Sequence, residues 1–130
     1  MLTQNYVFLN ITNHPSSEWP AVQQQAVLRL GGPVMDVPFP PVPPEASSAE
    51  VQALALQFTA SLPYAQVSGA LVQGEFLLTF LMVLLLERRG IPCFAATTRR
   101  SASSHRLSGS SVRKTSLFEF VQFRRYNLSI

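Results

Sequence analysis

The sequence has only one cysteine, two histidines and no long hydrophobic run, and each shortage removes a class of protein from consideration. A lone Cys93 cannot form an intramolecular disulfide framework or a cysteine-only metal site. His14 and His105 stand far apart in the chain without partners at metal-ligand spacing, so no metal site is predicted. Neither GxGxxG nor GxxxxGK[ST] occurs, which argues against dinucleotide and P-loop chemistry, and no cofactor is predicted.

Charged residues are also sparse, at 13% against 47% hydrophobic residues. This balance excludes a disordered tail and leaves enough apolar side chains for a core. The most apolar stretch, residues 76–86, is about half as long as the roughly 20 residues of a membrane-spanning helix, and it predicts a buried helix with no membrane contact. Because no basic-then-apolar secretion signal opens the chain, we expect one cytoplasmic domain over residues 1–130.

Charges of opposite sign are separated along the chain. Residues 1–87 hold six acidic residues and one basic residue, whereas residues 88–130 hold nine basic residues and one acidic residue. A basic region built from the last third favours an anionic partner such as phosphate, a nucleotide or RNA. A solvated basic rim would give the same pattern and is the alternative.

Four predicted strands alternate with three predicted helices. Aromatic, β-branched and other apolar stretches predict strands at residues 6–11, 34–37, 69–73 and 91–96. Apolar spacing of three and four residues, together with capping and stop signals, predicts helices at residues 19–30, 48–62 and 75–89. Residues 38–44 can be neither helix nor central strand, because five of these seven residues are proline. The serine-rich stretch 101–111 predicts a flexible loop, and residues 116–124 predict a closing antiparallel strand.

This alternation predicts the α/β class, as a single Rossmann-like domain with three helices. Its sheet would have four mainly parallel strands and a C-terminal antiparallel strand. In such sheets, ligands bind beyond the carboxyl ends of the strands, near the point where the strand order switches. The segments that follow the strands therefore supply the candidate site.

Three such segments carry the candidate side chains. They are Thr12, Asn13, His14, Ser16 and Ser17 after the first strand, Gln73, Gly74 and Glu75 after the third, and Thr97, Thr98, Arg99 and Arg100 after the fourth. Adjacent guanidinium groups suit phosphate oxygens, and a helix start after Ser16 or Ser17 offers free N–H groups to an anion. The first two segments also have a purely structural interpretation, as a turn and cap at residues 13–16 and as helix capping by Glu75. Trp19, on the first turn of the predicted helix, is likewise expected to be a hydrophobic anchor, with base stacking as the alternative.

Four short motifs together resemble a known family. They are Asn13-His14-Pro15-Ser16-Ser17 followed by Trp19, Asp36-Val37-Pro38-Phe39-Pro40, Gln73-Gly74-Glu75, and Ala95-Ala96-Thr97-Thr98-Arg99. Across most of residues 6–126 the chain resembles the small single-domain CRISPR-associated proteins of the CARF-like, Rossmann-like group. These accompany type III systems and include ring nucleases. The resemblance implies that a homodimer binds a cyclic oligoadenylate in a basic two-fold pocket, and no DNA partner is expected.

If the ring is cleaved, the resemblance implies metal-independent attack of a ribose 2′-hydroxyl on the adjacent phosphorus. His14 would then be the general acid or base, with Glu75 in reserve, because an ordinary imidazole titrates near neutrality. Arg99 and Arg100 would hold phosphates and stabilise the transition state, and Thr12, Asn13, Thr97 and Thr98 would orient ribose or adenine. Two alternatives remain: a sensor or sink that binds the same messenger without cleaving it, and a non-enzymatic interaction module with a basic face.

Overall fold

The computed structural model describes residues 6–106 and 112–129. Five strands form one mixed sheet: β1 (Val7–Ile11), β2 (Val34–Asp36), β3 (Val67–Val72), β4 (Cys93–Arg106) and β5 (Val112–Arg125). The described residues contain three α-helices: α1 (Ala21–Arg29), α2 (Ser48–Ala60) and α3 (Phe76–Arg88). The predicted α/β class, the three helices and the closing antiparallel strand are confirmed.

The strand order is β2-β1-β3-β4-β5. β1 pairs in parallel with β2 and with β3, β3 pairs in parallel with β4, and β5 runs antiparallel to β4. The chain therefore builds the sheet to one side of β1 first and then to the other side. The order reverses between β1 and β3, and in open α/β sheets such a reversal leaves a crevice at the carboxyl ends of the two strands.

Alternate residues of the central strands pack on opposite faces of the sheet. On one face, Phe8 and Leu71 pack with Trp19 and with Val27 of α1. On the other face, the larger core lies under α2 and α3 and contains Leu9, Ile11, Ala70, Val72, Val51, Ala55, Leu78, Met82 and Leu86. The near-continuous apolar sequence of β1 and β3 follows from this arrangement, because both faces of these strands are covered.

The helices begin where local chemistry allows. Ser47 caps α2 in a capping box, since its hydroxyl accepts the Glu50 N–H at 3.1 Å and the Glu50 carboxylate accepts the Ser47 N–H at 3.4 Å. The prediction that Ser16 or Ser17 caps the first helix was wrong. Residues Ser16–Glu18 form a 3-10 turn, and α1 starts only at Ala21. Pro20 explains the interruption, because a residue before proline is disfavoured in the helical region and Trp19 is accordingly extended.

The hairpin of β4 and β5 is longer than the sequence suggested. β4 was expected to end before Thr97, yet it continues to Arg106 and pairs with β5 over its whole length from Phe94. Residues 101–106 are therefore strand and not loop, and residues 107–111 lie outside the described residues. Pairing with β5 supplies the backbone hydrogen bonds that the polar sequence of 97–106 gave no reason to expect.

The predicted apolar helix is α3, which is 13 residues long. Leu78, Met82, Val83 and Leu86 are its buried residues. Within the described part of the chain, no helix combines the length and the apolar character needed to cross a bilayer.

The end of α3 is fastened to β4 and β5 through Glu87. This carboxylate accepts the Cys93 N–H at 2.9 Å and binds the Arg125 guanidinium at 3.0 Å. Burial alone raises the pKa of the Glu87 carboxyl, but the hydrogen bonds from Arg125 and from the Cys93 backbone outweigh it, and the pKa lies below its ordinary value of 4.5. The ionised form is thus the one that stabilises the fold.

We expect Glu87→Ala to lower the free energy of unfolding by about 2 kcal/mol, because the buried Cys93 N–H loses its acceptor. Arg125→Ala is the matched comparison and should cost about 1 kcal/mol or less, since that side chain is more than half exposed. Urea denaturation at pH 7 measures both.

The pKa of Glu87 is lower in the folded state than in the unfolded state. The stabilisation by Glu87 is therefore complete above its unfolded-state pKa and is lost as the pH falls through its folded-state pKa. A Glu87→Ala difference that stays constant from pH 7 to pH 3 would contradict this account.

Candidate functional site

The loop after β1 is positioned by the side chain of Asn10, which is only 1% exposed. Its amide nitrogen donates to the His14 carbonyl oxygen and to Asp36 Oδ1, both at 2.9 Å. Its amide oxygen accepts the Thr12 hydroxyl at 2.9 Å, and Thr12 Oγ1 accepts the His14 N–H at 3.0 Å. Both amide hydrogens and the oxygen of this buried side chain are therefore used, and the turn that carries His14 is fixed relative to β2.

Asp36, at the end of β2, also binds the later part of the same loop. Its carboxylate also accepts the Ser16 N–H, at 3.2 and 3.3 Å from the two oxygens. Burial raises the pKa of Asp36, but the hydrogen bonds from Asn10 and Ser16 outweigh it and the pKa is lowered. Ser16 is thus held by its backbone to the end of β2.

A cavity of about 500 Å³ opens beside this loop, within the size range of small-molecule sites. It lies at the carboxyl edge of β1 and β3, on the face of the sheet that α1 covers. Its walls come from five parts of the chain: Thr12, Asn13, His14, Trp19, Pro20, Gln23, Leu71, Gln73, Ala96, Thr98, Phe118 and Phe120. Five of the side chains proposed from the sequence line it: Thr12, Asn13, His14, Gln73 and Thr98.

One wall of the cavity is aromatic. Trp19 is 4% exposed and its indole N–H has no hydrogen-bond partner among the described residues. Phe118 is 63% exposed, and Phe120 packs on Phe123 with ring centroids 5.0 Å apart. Phe123 also contacts Trp19 at 6.0 Å, so the wall is continuous with the core beneath α1.

Sequence reasoning missed Phe118 and Phe120 as cavity residues. The sheet register shifts between Thr97 and Thr98, where one extra β5 residue is accommodated. This bulge places Phe120 and Phe123 on the same face although they are three residues apart. The spacing of three residues between Phe120 and Phe123 breaks the strand period of two, and this break was the sequence signal that could have indicated the bulge.

Two glutamines bring amide groups to the cavity. The Gln73 side chain continues the sheet, because its Oε1 accepts the Ala96 N–H at 2.9 Å. Its NH₂ group has no partner within the described residues and is available as a donor. Gln23 of α1 is 7% exposed and also lines the cavity, although no sequence pattern singled it out.

His14 stands at the rim with a side chain 62% exposed. Its Nδ1 is 3.9 Å from a carboxylate oxygen of Glu18, which is itself 65% exposed. The imidazole is therefore accessible to both solvent and a ligand in the cavity. This placement suits proton transfer, for which a group must reach a bound substrate.

The two arginines do not follow the end of β4, as predicted, but lie within it. Arg100 is paired with Phe118 across the strands, and its guanidinium lies 5.9 Å from the centre of that ring. Arg99 is paired with Glu119 instead. Because side chains alternate along a strand, Arg100 shares the cavity face with Thr98, and Arg99 belongs to the opposite face.

Five other predicted residues lie outside the cavity lining. Ser16 and Ser17 border a smaller depression on the other side of Trp19, and the Thr97 hydroxyl donates to the Gln122 carbonyl at 3.2 Å. Gly74 lies against the Phe39 ring, since a Cβ there would come within 2.5 Å of ring carbons. The glycine is therefore explained by core packing.

Glu75 is the fifth residue outside the lining, and it caps α3. Its carboxylate oxygens accept the N–H groups of Leu77 and Leu78 at 3.1 and 2.8 Å. Both oxygens are thus engaged at the start of the helix, which leaves His14 as the titratable predicted residue at the cavity. Among the described residues, no three His, Cys, Asp or Glu side chains cluster as metal ligands would.

We expect Asp36→Ala to lower the free energy of unfolding by about 1–3 kcal/mol, because the buried Asn10 amide and the Ser16 N–H lose an acceptor. Glu18→Ala is the matched control. It removes an exposed carboxylate next to the same loop and should change stability by about 0.5 kcal/mol or less. Urea denaturation measures both, and hydrogen exchange at Ser16 should accelerate only in Asp36→Ala. Equal stability of the two variants would show that the network does not hold the loop.

Comparison with known proteins identifies the family alone. No curated protein and no solved structure matches the chain. The family described as "Uncharacterized protein MJ1673 family" matches residues 6–124, which is almost the whole chain and includes every residue that lines the cavity. The chain therefore belongs to the Uncharacterized protein MJ1673 family.

Proposed function

We propose that this protein is a Rossmann-like nucleotide-binding module that takes a cyclic oligoadenylate, as the CARF-like proteins of type III CRISPR systems do. The observation that carries the proposal is the cavity itself: an aromatic wall faces amide and hydroxyl groups at the carboxyl edge where the strand order reverses. This is the position at which open α/β sheets bind nucleotides. The sequence resemblance supplies the identity of the ligand.

A nucleobase suits the aromatic side of the cavity. Phe118 offers an exposed ring on which a base can stack, and Trp19 and Phe120 continue that wall. On the opposite side, Asn13 and the free NH₂ of Gln73 can hydrogen-bond the edge of the base. Stacking on one side and amide hydrogen bonding on the other is a common way to bind an unpaired base.

Phosphate groups suit two features at the cavity mouth. Pro20 and Gln23, at the start of α1, line the cavity, so the positive end of the helix dipole lies beside the ligand region. Arg100 adds a permanent positive charge beside Phe118. Together they would compensate the charge of a phosphodiester.

Cleavage needs one proton-transfer group in addition to binding. The ribose 2′-oxygen would bond to the adjacent phosphorus while the phosphorus–5′-oxygen bond breaks, giving a 2′,3′-cyclic phosphate and a 5′-hydroxyl. His14 would accept the 2′-hydroxyl proton or donate a proton to the leaving 5′-oxygen. The partial positive charge of the α1 N-terminus and Arg100 would stabilise the extra negative charge on the phosphorus oxygens.

Incubation with cyclic tetra-adenylate and cyclic hexa-adenylate should give linear products ending in a 2′,3′-cyclic phosphate, detected by liquid chromatography with mass spectrometry. We expect His14→Ala to slow cleavage by about 100-fold or more with little loss of affinity, because a general acid or base typically contributes that much. Glu18→Ala is the control, because it changes the charge at the same cavity rim without removing the imidazole, and it should cleave the ring at close to the wild-type rate. Unchanged turnover in His14→Ala would remove His14 from the mechanism.

The same incubation separates the alternatives. Tight binding of an intact ring would identify a sensor or sink for the messenger. Absence of binding to either ring would reject the nucleotide site and favour an interaction module with a basic face.

We expect Phe118→Ala to weaken binding of the ring by about 10-fold or more, since stacking of a base on an aromatic side chain contributes about 1–3 kcal/mol. Leu117→Ala is the matched control, because Leu117 is similarly exposed, at 59%, but does not line the cavity.

Arg100→Ala should also weaken binding of the ring. Arg99→Ala should weaken binding less, because Arg99 lies on the other face of the sheet. Isothermal titration calorimetry measures all four, and equal effects of Arg99 and Arg100 would contradict the assigned faces.

A further inference from the structure

α3 presents a large apolar surface to solvent. Phe76 is 92% exposed and Phe80 is 61% exposed, and with Leu84 they form one row at a spacing of four residues. Beside this row, Leu128 is 51% exposed and lies with Tyr126 along a groove of about 370 Å³ that Phe76 and Phe80 also line. We call this row and groove the α3 face.

The fold does not account for the α3 face. The buried side of α3, which includes Leu78 and Met82, already packs on the sheet. A helix that is apolar on all sides needs cover on more than one side. Exposed apolar patches of this kind mark interaction sites in soluble proteins.

We infer that the α3 face is the surface through which two copies of this chain associate. Two side chains alone supply about half of the smallest area that a stable interface buries. A phenylalanine side chain buries about 150–250 Å² when covered, so Phe76 and Phe80 alone would contribute roughly 600 Å² over two copies. A stable interface buries about 1,200–2,000 Å² in total, and Leu84, Leu128 and their surroundings adjoin the two rings.

Charge also favours a second copy as the occupant. No ionisable residue occurs on α3 between Glu75, which caps it, and Glu87, which binds Arg125. The α3 face can therefore meet an identical face without repulsion between like charges. A two-fold axis requires this kind of self-complementary surface, and rows at a spacing of four residues pack against each other in helix pairs.

The α3 face is adjacent to the candidate site. Gln73 lines both the cavity on one face of the sheet and the groove along α3 on the other, and Gly74 lies at the end of the same groove. Association through α3 would therefore place Gln73 and Gly74 of both copies at the interface. The association itself depends neither on a ligand nor on the proposed function.

Sedimentation velocity without ligand tests the association. We expect the wild-type protein to sediment with a mass of twice the 14.4 kDa of one copy, and the Phe76→Glu variant to sediment as a folded monomer. Val22→Glu is the matched control, since Val22 is 61% exposed on α1, which covers the other face of the sheet. This control should remain a dimer. Circular dichroism establishes that each variant is folded, and a wild-type monomer at high protein concentration, or a dimeric Phe76→Glu, would overturn the inference.

Crosslinking provides a second test that needs no destabilising charge. Cys93 is buried, and burial is the main reason that its pKa is raised to about 12, so it does not compete for thiol reagents. Phe80 is the middle residue of the row. In a two-fold dimer formed through this row, the Phe80 side chains of the two copies would lie closest to each other. A short bis-maleimide should therefore link Phe80→Cys into a covalent dimer and leave Val22→Cys monomeric. Equal crosslinking of the two variants would reject the α3 face.

The two proposals fail in distinguishable ways. Binding of cyclic tetra-adenylate by a monomeric Phe76→Glu variant, with wild-type affinity, would separate the ligand site from the association. A dimer that binds no ring would leave the α3 face established and reject the nucleotide site.

Discussion

The hydrogen-bonded side chain of Asn10 is the constraint on which the candidate site depends. A polar amide in the middle of a buried strand would destabilise the core if its groups were unpaired, and here every one of them has a partner. The partners are Asp36 on the neighbouring strand and two residues of the following loop. The same interaction therefore satisfies the core and fixes the backbone around His14. The role proposed for His14 would need this kind of support, because a displacement of about 1 Å can slow a catalysed reaction by about 100-fold.

Much of the fold could be predicted because local patterns and tertiary packing agree. β1 and β3 are apolar in sequence and are covered on both faces, and α2 begins at Ser48, where a capping signal predicted a helix start. The two failed predictions have different causes, one non-local and one local. The polar half of β4 is a strand only because β5 pairs with it, and the start of α1 depends on the conformation that Pro20 imposes on Trp19.

The same distinction applies to the candidate site. Thr12, Asn13 and His14 could be found because the topology rule concerns the ends of parallel strands, and their placement follows from local sequence. Phe118 and Phe120 were missed, since they come from an antiparallel strand that the rule does not cover and lie beside a bulge that shifts the register. Gly74 and Glu75 matched the expected residue types, but Phe39 packing and helix capping account for them. Residue types suited to ligands are often also the types suited to turns and helix ends.

Among the side chains that the structure describes, the strong separation of charge along the sequence does not become one basic pocket in a single copy. Arg125 binds Glu87, Arg89 lies 4.2 Å from the centre of the Tyr64 ring, and Arg99 is on the face opposite the cavity. Arg100 is the described arginine closest in register to the cavity wall. A ring with several phosphates needs more positive charge than one guanidinium and one helix N-terminus provide. The cavity lies on the face of the sheet that α1 covers and the α3 face lies on the other, so association through α3 would leave one cavity on each outer side of the pair. The apolar surface of α3 therefore supports a dimer independently of the charge that a ring would need.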